Sequence, residues 1–555
     1  MEGERRKKRL WPWLAAFAVL GGLLVYNYWP VEPEKIIISR ETTYILGPLN
    51  PDGTVNYVKY LDDKHAEGVT AANNAAPLLL RAFGPEMLPD KIRAETLRRL
   101  NLPADIFDHD KHLIEWKNRA RPGKAAASGA ADANDANSPT TQEQAEDESE
   151  DEPNINEVYE MLLAGQVHPD LEAWLASNAD PLELVCQATA KDKFYMPLVS
   201  TSTPPRVFDV QVPTLQWLQQ AALALTARAT LKMMHNDPRG AWEDVLVVHR
   251  LARLMGKDSP TLVQCLVAVG LEGMAGKAGI VLATRGPMGA VQAREVLGKL
   301  NALSPATDMV RAIDEGERFL GLDVVLTLTR PGGFGATGLG GVTGVSLPDS
   351  ADLDWNKMLR DMNAQYDQMV KPLRLPRFQG RGEAKKAYDD EFKAFATQAG
   401  SRATPVRLYL LRFGGRLMKH AMSDLVSDIL VCTMMPSLAT ACDLEEQAKM
   451  THEIETLAVA LACFHGEHGR WPAELKELCP SLLKAIPADR FSVKPLIYRP
   501  GEKGYLLYSV GRNLRDDGAQ REPRASGKSP DEKKDDIVAE VKPERASSKP
   551  AASQP

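Results

Sequence analysis

Apolar residues along this chain recur at two different periods, and the changes of period mark out its parts. From residue 155 to about 444 they return three and four positions apart, the spacing of an α-helix. One helix is bounded at both ends. Asp237 can cap it, Pro238 takes the first helical position and Gly256 closes it. Between them Trp242, Val245, Leu246, Val248, Ala252 and Met255 form a stripe. A helix over about 214–234 precedes it and another follows Pro260. Earlier, residues 34–61 read as strand, turn, strand. Residues 35–39 and 44–46 are β-rich, Asn50-Pro51-Asp52-Gly53 marks the turn, and Val55, Tyr57 and Tyr60 follow. Thr70 is placed to cap a helix over 75–83, with short helices onward to about 118. Beyond 444 the helical period returns in Ile454, Leu457, Ala458, Leu461 and Phe464, with Gly469 placed to end that helix. A short helix over 473–483 and two β-like runs, 495–498 and 505–510, complete a helix-plus-hairpin unit.

The N-terminus carries a different signal. Arg5, Arg6, Lys7, Lys8 and Arg9 precede an uncharged stretch over 10–29. As a helix that stretch measures about 30 Å, one hydrocarbon core. Trp11 and Trp13 mark one end, and Tyr26, Tyr28 and Trp29 the other, as two membrane interfaces favour. The basic cluster keeps the N-terminus in the cytoplasm and places everything after Pro30 outside. The alternative is a cleaved signal peptide, but the apolar part is long and no small-x-small cleavage site stands directly before Pro30. The expectation is an uncleaved signal anchor in the cytoplasmic (inner) membrane.

The pattern therefore predicts a mainly α protein, with an N-terminal transmembrane helix, a helical central domain and small α+β units at both ends of the soluble part. The expected divisions are 1–30 (basic end and anchor), 31–120 (α+β), 121–154 (disordered acidic linker), 155–444 (helical), 445–518 (α+β module) and 519–555 (disordered tail). The linker and tail hold too few large apolar residues to offset the entropy of ordering them.

Charge narrows the function classes. The chain has 67 Lys+Arg against 74 Asp+Glu in 555 residues. Seven of the acids lie in the run 143–152, so the remainder balances and points to no nucleic-acid partner. Six cysteines in such a length exclude a disulfide scaffold.

The C-terminal unit carries a family resemblance. Its residues are His468-Gly469-Arg470-Trp471-Pro472, then Ile486-Pro487-Ala488-Asp489 with Phe491 and Pro495. Tyr498, Pro500-Gly501, Gly504, Tyr508-Ser509-Val510-Gly511 and Asp516-Asp517-Gly518 follow. In order and spacing these resemble the soluble part of type II secretion pseudopilins, over about 75 residues. The whole chain resembles single-pass membrane-anchored bacterial proteins that end in such a module. The module here lies over 400 residues from the anchor and no prepilin cleavage signal is present, so a fold is implied and not a filament. Major pseudopilins bind calcium in the loop after the equivalent of Ser509. The resemblance thus implies a calcium site at Ser509, Asn513, Asp516 and Asp517, with Arg512 and Arg515 set among them; a polar turn is the alternative. Residues 227–260 also resemble one tetratricopeptide-type hairpin, through Ala241, Ala252 and Pro260.

Other chemistry is weaker. Asp108-His109-Asp110-Lys111-His112 could ligate a metal, but reads better as a solvated helix start. His465 and His468 read as helix C-terminal residues favoured by the dipole. Ser481-Leu482-Leu483-Lys484 lacks the partners of a serine acylating enzyme. Gly333, Gly335 and Gly338 lack a strand-to-helix context, and Ser526-Gly527-Lys528-Ser529 lacks the first P-loop glycine. Cys463 and Cys479 could pair or sit in the core. No catalytic residue and no organic cofactor is expected. The expected function is a membrane-anchored scaffold for protein partners, with an extracytoplasmic hydrolase built from distant residues as the alternative.

Overall fold

The computed structural model describes residues 34–108, 110–119, 153–211, 215–286, 288–330, 333, 353–375, 382–402, 418–434, 436–520 and 534–541. The expected anchor at 10–29, the acidic run and Ser526-Gly527-Lys528-Ser529 lie outside the described residues, as does most of the glycine-rich stretch.

Helices dominate. In chain order they are α1 (Tyr57–His65), α2 (Ala76–Phe83), α3 (Asp90–Arg99), α4 (Ile155–Leu163), α5 (Leu171–Ser177) and α6 (Ala179–Ala188). Next come α7 (Gln216–Met234), α8 (Pro238–Gly256), α9 (Leu262–Arg285) and α10 (Ala290–Asn301). A π-helical stretch, Ala312–Glu317, leads into α11 (Arg318–Leu328). The series ends with α12 (Trp355–Leu373), α13 (Gly382–Arg402), α14 (Lys419–Met434) and α15 (Pro436–His468). A three-stranded antiparallel sheet follows, in the order β1 (Ile497–Gly501), β2 (Gly504–Ser509), β3 (Ile537–Val541).

The boundaries of α8 follow its sequence signals. The Asp237 carboxylate accepts from the Gly240 N–H at 2.9 Å, and Pro238 stands at the first helical position. Its apolar stripe packs against α7 and α9, the antiparallel neighbours that short connections impose.

Two apolar cores result. One gathers α2, α4 to α10, the second half of α15 and the sheet. The other gathers α1, α11, α12 and α14. Two helices serve both. On α9, Cys265 and Val269 face the second core while Leu271, Ala275 and Leu282 face the first. On α15, Cys442 and Ala448 face the second, and Ile454, Leu457 and Leu461 the first. Helix α9 is long and apolar enough to cross a membrane, yet 61% of its most apolar stretch is buried inside the protein.

Several expectations are corrected. Residues 34–61 hold a single bridge, Leu49 to Val55, around the expected turn, and no second strand. Asn56 caps α1 by accepting from the Lys59 N–H, and Tyr57, Val58 and Leu61 turn into the second core at helical spacing. The α+β unit expected over 31–120 is therefore helical among the described residues. Thr70 caps a local turn through the Asn73 N–H, not α2. The C-terminal helix begins at Pro436, and its Ala441, Cys442 and Ala448 enter the second core. Residues 473–483 form only a short 3₁₀ turn, Leu475–Leu478, before Pro480. The tail expected to be disordered supplies β3: Ile537 and Ala539 are buried, with Ser509 paired to Ile537 and Tyr505 to Val541.

Candidate functional site

Three helices of the first core bring titratable side chains together. His249 and Arg253 lie one turn apart on α8, Glu272 on α9, and His452 and Glu455 on α15. His249 and Glu455 are fully buried and Glu272 is 5% exposed. His249 Nε2 lies 2.9 Å from Glu455 Oε2, and its Nδ1 lies 3.2 Å from Glu272 Oε1. His452 Nδ1 approaches the same Glu455 oxygen at 3.1 Å. Arg253 closes the set. Its Nε and Nη2 donate to both oxygens of Glu272 at 2.9 and 2.5 Å, and its Nη1 donates to the Ser304 carbonyl at 2.6 Å.

Close helix approach makes the cluster possible. On α9, Gly276 and Gly279 face α15. A Cβ at 276 would touch the Thr451 methyl at 3.0 Å, and one at 279 would collide with the Glu455 carboxylate. The missing side chain at 279 is the space the carboxylate occupies.

The electrostatics follow. Burial by itself would depress the His249 pKa. The Glu455 and Glu272 carboxylates more than reverse that and lift it to about 10. Burial works to raise both carboxylates, but His249, joined by Arg253 at Glu272 and by His452 at Glu455, holds them below their ordinary value. Two carboxylates thus face one imidazolium and one guanidinium, and those four charges cancel inside the core.

The ligand atoms of His249, His452 and Glu455 all lie within 4.8 Å of one another, a donor set of the kind transition metals take. A metal bound through Nε2 of His249 would have to displace the proton shared there with Glu455. The arrangement is an electroneutral clamp joining α8, α9 and α15.

The expected calcium residues are placed in the turn after β2. Ser509 is buried and its Oγ accepts from the Gly511 N–H. Asn513 Nδ2 donates to Asp517 Oδ2 at 2.8 Å, and Asp516 Oδ1 accepts from Tyr508 Oη at 2.9 Å and from the Gly518 N–H. Two residues outside the expected set join them. Asp535 accepts from the Arg512 and Asn513 N–H groups, and Asp536 accepts from the Ala519 N–H. Asp536 is fully buried, its Oδ1 has no hydrogen-bond partner among the described residues, and burial pushes its carboxyl up to about 6. The donors suit calcium in kind. They are not drawn together as closely as the His249 cluster is.

The remaining candidates have structural duties. His109 lies outside the described residues, and residues 108 and 110–112 are not helical: Asp110 forms a two-point pair with Arg81, and His112 contacts the carbonyls of Arg81 and Phe107. His465 stacks on Trp471, and His468 on Phe464. Ser481 and Lys484 are exposed, whereas Leu482 and Leu483 enter the core. Cys463 and Cys479 are free thiols.

Sequence reasoning did not single out His249, Arg253, Glu272, His452, Glu455, Asp535 or Asp536. A signal existed for some of them: His249 falls among the buried stripe positions of α8, and Glu455 directly follows Ile454 on the buried face of α15. No protein-family model, curated protein or solved structure matches this chain.

Proposed function

We propose that the chain is a non-enzymatic envelope protein, anchored in the inner membrane through residues 10–29, whose helical body presents the C-terminal sheet to protein partners. One observation carries this reading: the densest set of acid–base side chains, around His249 and Glu455, is enclosed, mutually paired and charge-compensated. Its geometry serves to fix α15, and through α15 the sheet that packs on it. The loops before β1 and after β2 hold two exposed apolar side chains at left-handed backbone positions, Val493 (φ 59°) and Leu514 (φ 58°). A β-branched residue such as Val493 is strained there, and the two exposed apolar side chains offer a partner apolar surface beside the sheet. The resemblance to pseudopilin soluble parts makes a secretion-type assembly the leading class of partner.

The test places a photo-crosslinking amino acid at position 493 or 514 of the full-length chain in cells, with position 291 on α10 as the comparison. A discrete envelope protein captured from 493 and 514 and not from 291 supports the reading. Capture of nothing above background overturns it and turns attention to the hydrolase alternative.

A second reading concerns the turn after β2. The buried Asp536 Oδ1, without a hydrogen-bond partner beside Asp516, Asp517 and Asp535, supports calcium as a stabilising ion of the sheet.

A further inference from the structure

Helices α6, α8 and α10 all end at one cavity of about 280 Å³. Its wall carries Lys191, Arg250, Arg253, Lys257 and Lys299, against a single carboxylate, Asp192. Two of the cations are already neutralised. Arg253 pairs with Glu272, and Lys299 with Glu243 and Glu295. Lys191 donates only to the Ala72 carbonyl, and the half-buried Arg250 guanidinium has no hydrogen-bond or ion-pair partner among the described residues. Lys191, Arg250 and Lys257 against Asp192 leave two positive charges in excess.

Helix dipoles explain part of this. Cations are favoured in the last turn of a helix, which accounts for Lys257 and Lys299. They do not account for Arg250, which lies six residues before the end of α8, beyond the reach of the terminal partial charges. A guanidinium without a protein partner, facing a concave wall of like charge, is a ready donor for an anion that replaces the water on it. Guanidinium also matches phosphate in geometry, through parallel N–H donors.

We propose that this cavity binds a small phosphomonoester dianion, with Arg250, Lys257 and Lys191 as its recognition groups and Arg253 as the fixed back wall. The volume has room for a phosphate on a small organic group. The same chemistry could be offered by a soluble phosphomonoester or by the headgroup of phosphatidic acid.

The test uses the full-length chain in detergent, titrated calorimetrically with glycerol 3-phosphate at constant ionic strength. Vesicles of phosphatidylcholine with and without phosphatidic acid form the second arm. The expected result is saturable binding in either arm, weakened roughly tenfold or more in Arg250→Gln/Lys257→Gln, the order expected for losing hydrogen bonds to a charged group. Lys503→Gln, in the exposed β1–β2 turn, should bind as the parent does. Lys191→Gln provides an independent variant on the cavity rim should the double variant melt early. Binding equal in the parent and the cavity variants, sulfate binding as tightly as the phosphomonoester, or no saturable binding in both arms would overturn the proposal.

Discussion

Glu455 fills the space left by the absent side chain of Gly279. The carboxylate on α15 and the bare backbone on α9 form one unit, because a methyl group at 279 would occupy the carboxylate's position. Gly279→Ala should therefore cost about 1–3 kcal/mol, the usual range for overpacking a filled interior. Gly270, on the same helix, meets nothing within 4 Å and is exposed. There the same substitution should stabilise by about 0.5–1 kcal/mol, through helix propensity alone. Urea denaturation of both variants checks the contrast. Equal effects at the two positions would show that Glu455 is not seated against Gly279.

The clamp also predicts a pH dependence. His249 is raised from an ordinary value near 6.5 to about 10 in the folded protein. A raised basic group contributes stability that is complete below its unfolded pKa and disappears as pH climbs through its folded pKa. The parent should thus lose stability between about pH 6.5 and about pH 10. His249→Gln should be less stable at neutral pH and should show a flatter alkaline limb. Glu272 and Glu455 act on the other side: their depressed carboxyls contribute fully above the ordinary carboxylate range and lose that contribution as pH falls below it toward their lower folded values. Chemical denaturation across pH, for parent and variant, measures both limbs. An alkaline slope unchanged in His249→Gln would remove His249 as its source.

What could be read from the sequence divides along a physical line. Local signals held: Asp237, Pro238 and Gly256 mark α8 because capping and backbone restriction act within a few residues. Gly469, at φ 66°, ends α15 for the same reason. Signals that depend on distant packing did not hold. Tyr57 and Tyr60 look like part of a strand until the second core supplies a surface for a helix. β3 lies in a polar tail, and only pairing with β2 gives it a place. The clamp was illegible for a similar reason, since its members are separated by up to 206 positions and meet only when α8 and α15 pack on α9.

β3 can be tested directly. Ile537 is 2% exposed and packs in the first core with Leu507 and Ala539. Ile537→Ala should cost about 2–5 kcal/mol if the strand is docked. Glu502→Ala, in the exposed β1–β2 turn, should change stability by less than about 0.5 kcal/mol. A thermal melt comparing the two decides whether the tail strand belongs to the folded unit; a negligible effect of Ile537→Ala would detach it.

Asp536 makes the calcium reading measurable in both states. Without the ion, burial and the neighbouring Asp517 and Asp516 carboxylates push its carboxyl up to about 6. An acid raised in the folded state costs stability once pH exceeds its unfolded pKa. Calcium-free protein should therefore be more stable near pH 4 than near pH 7 as far as this group is concerned. Asp536→Asn removes that cost, so the variant should melt no lower than the parent at pH 7 in chelator. Calcium then reverses the order. At ten times its Kd, calcium would stabilise the parent by about 1.4 kcal/mol by mass action, and Asp536→Asn by much less because a carboxylate donor is gone. Magnesium, which demands a tighter octahedral cage, should have little effect on either protein. Melting curves in chelator, calcium and magnesium read all three cases. A parent that melts at the same temperature in each leaves Asp536 as a buried acid whose role is its bond from the Ala519 N–H.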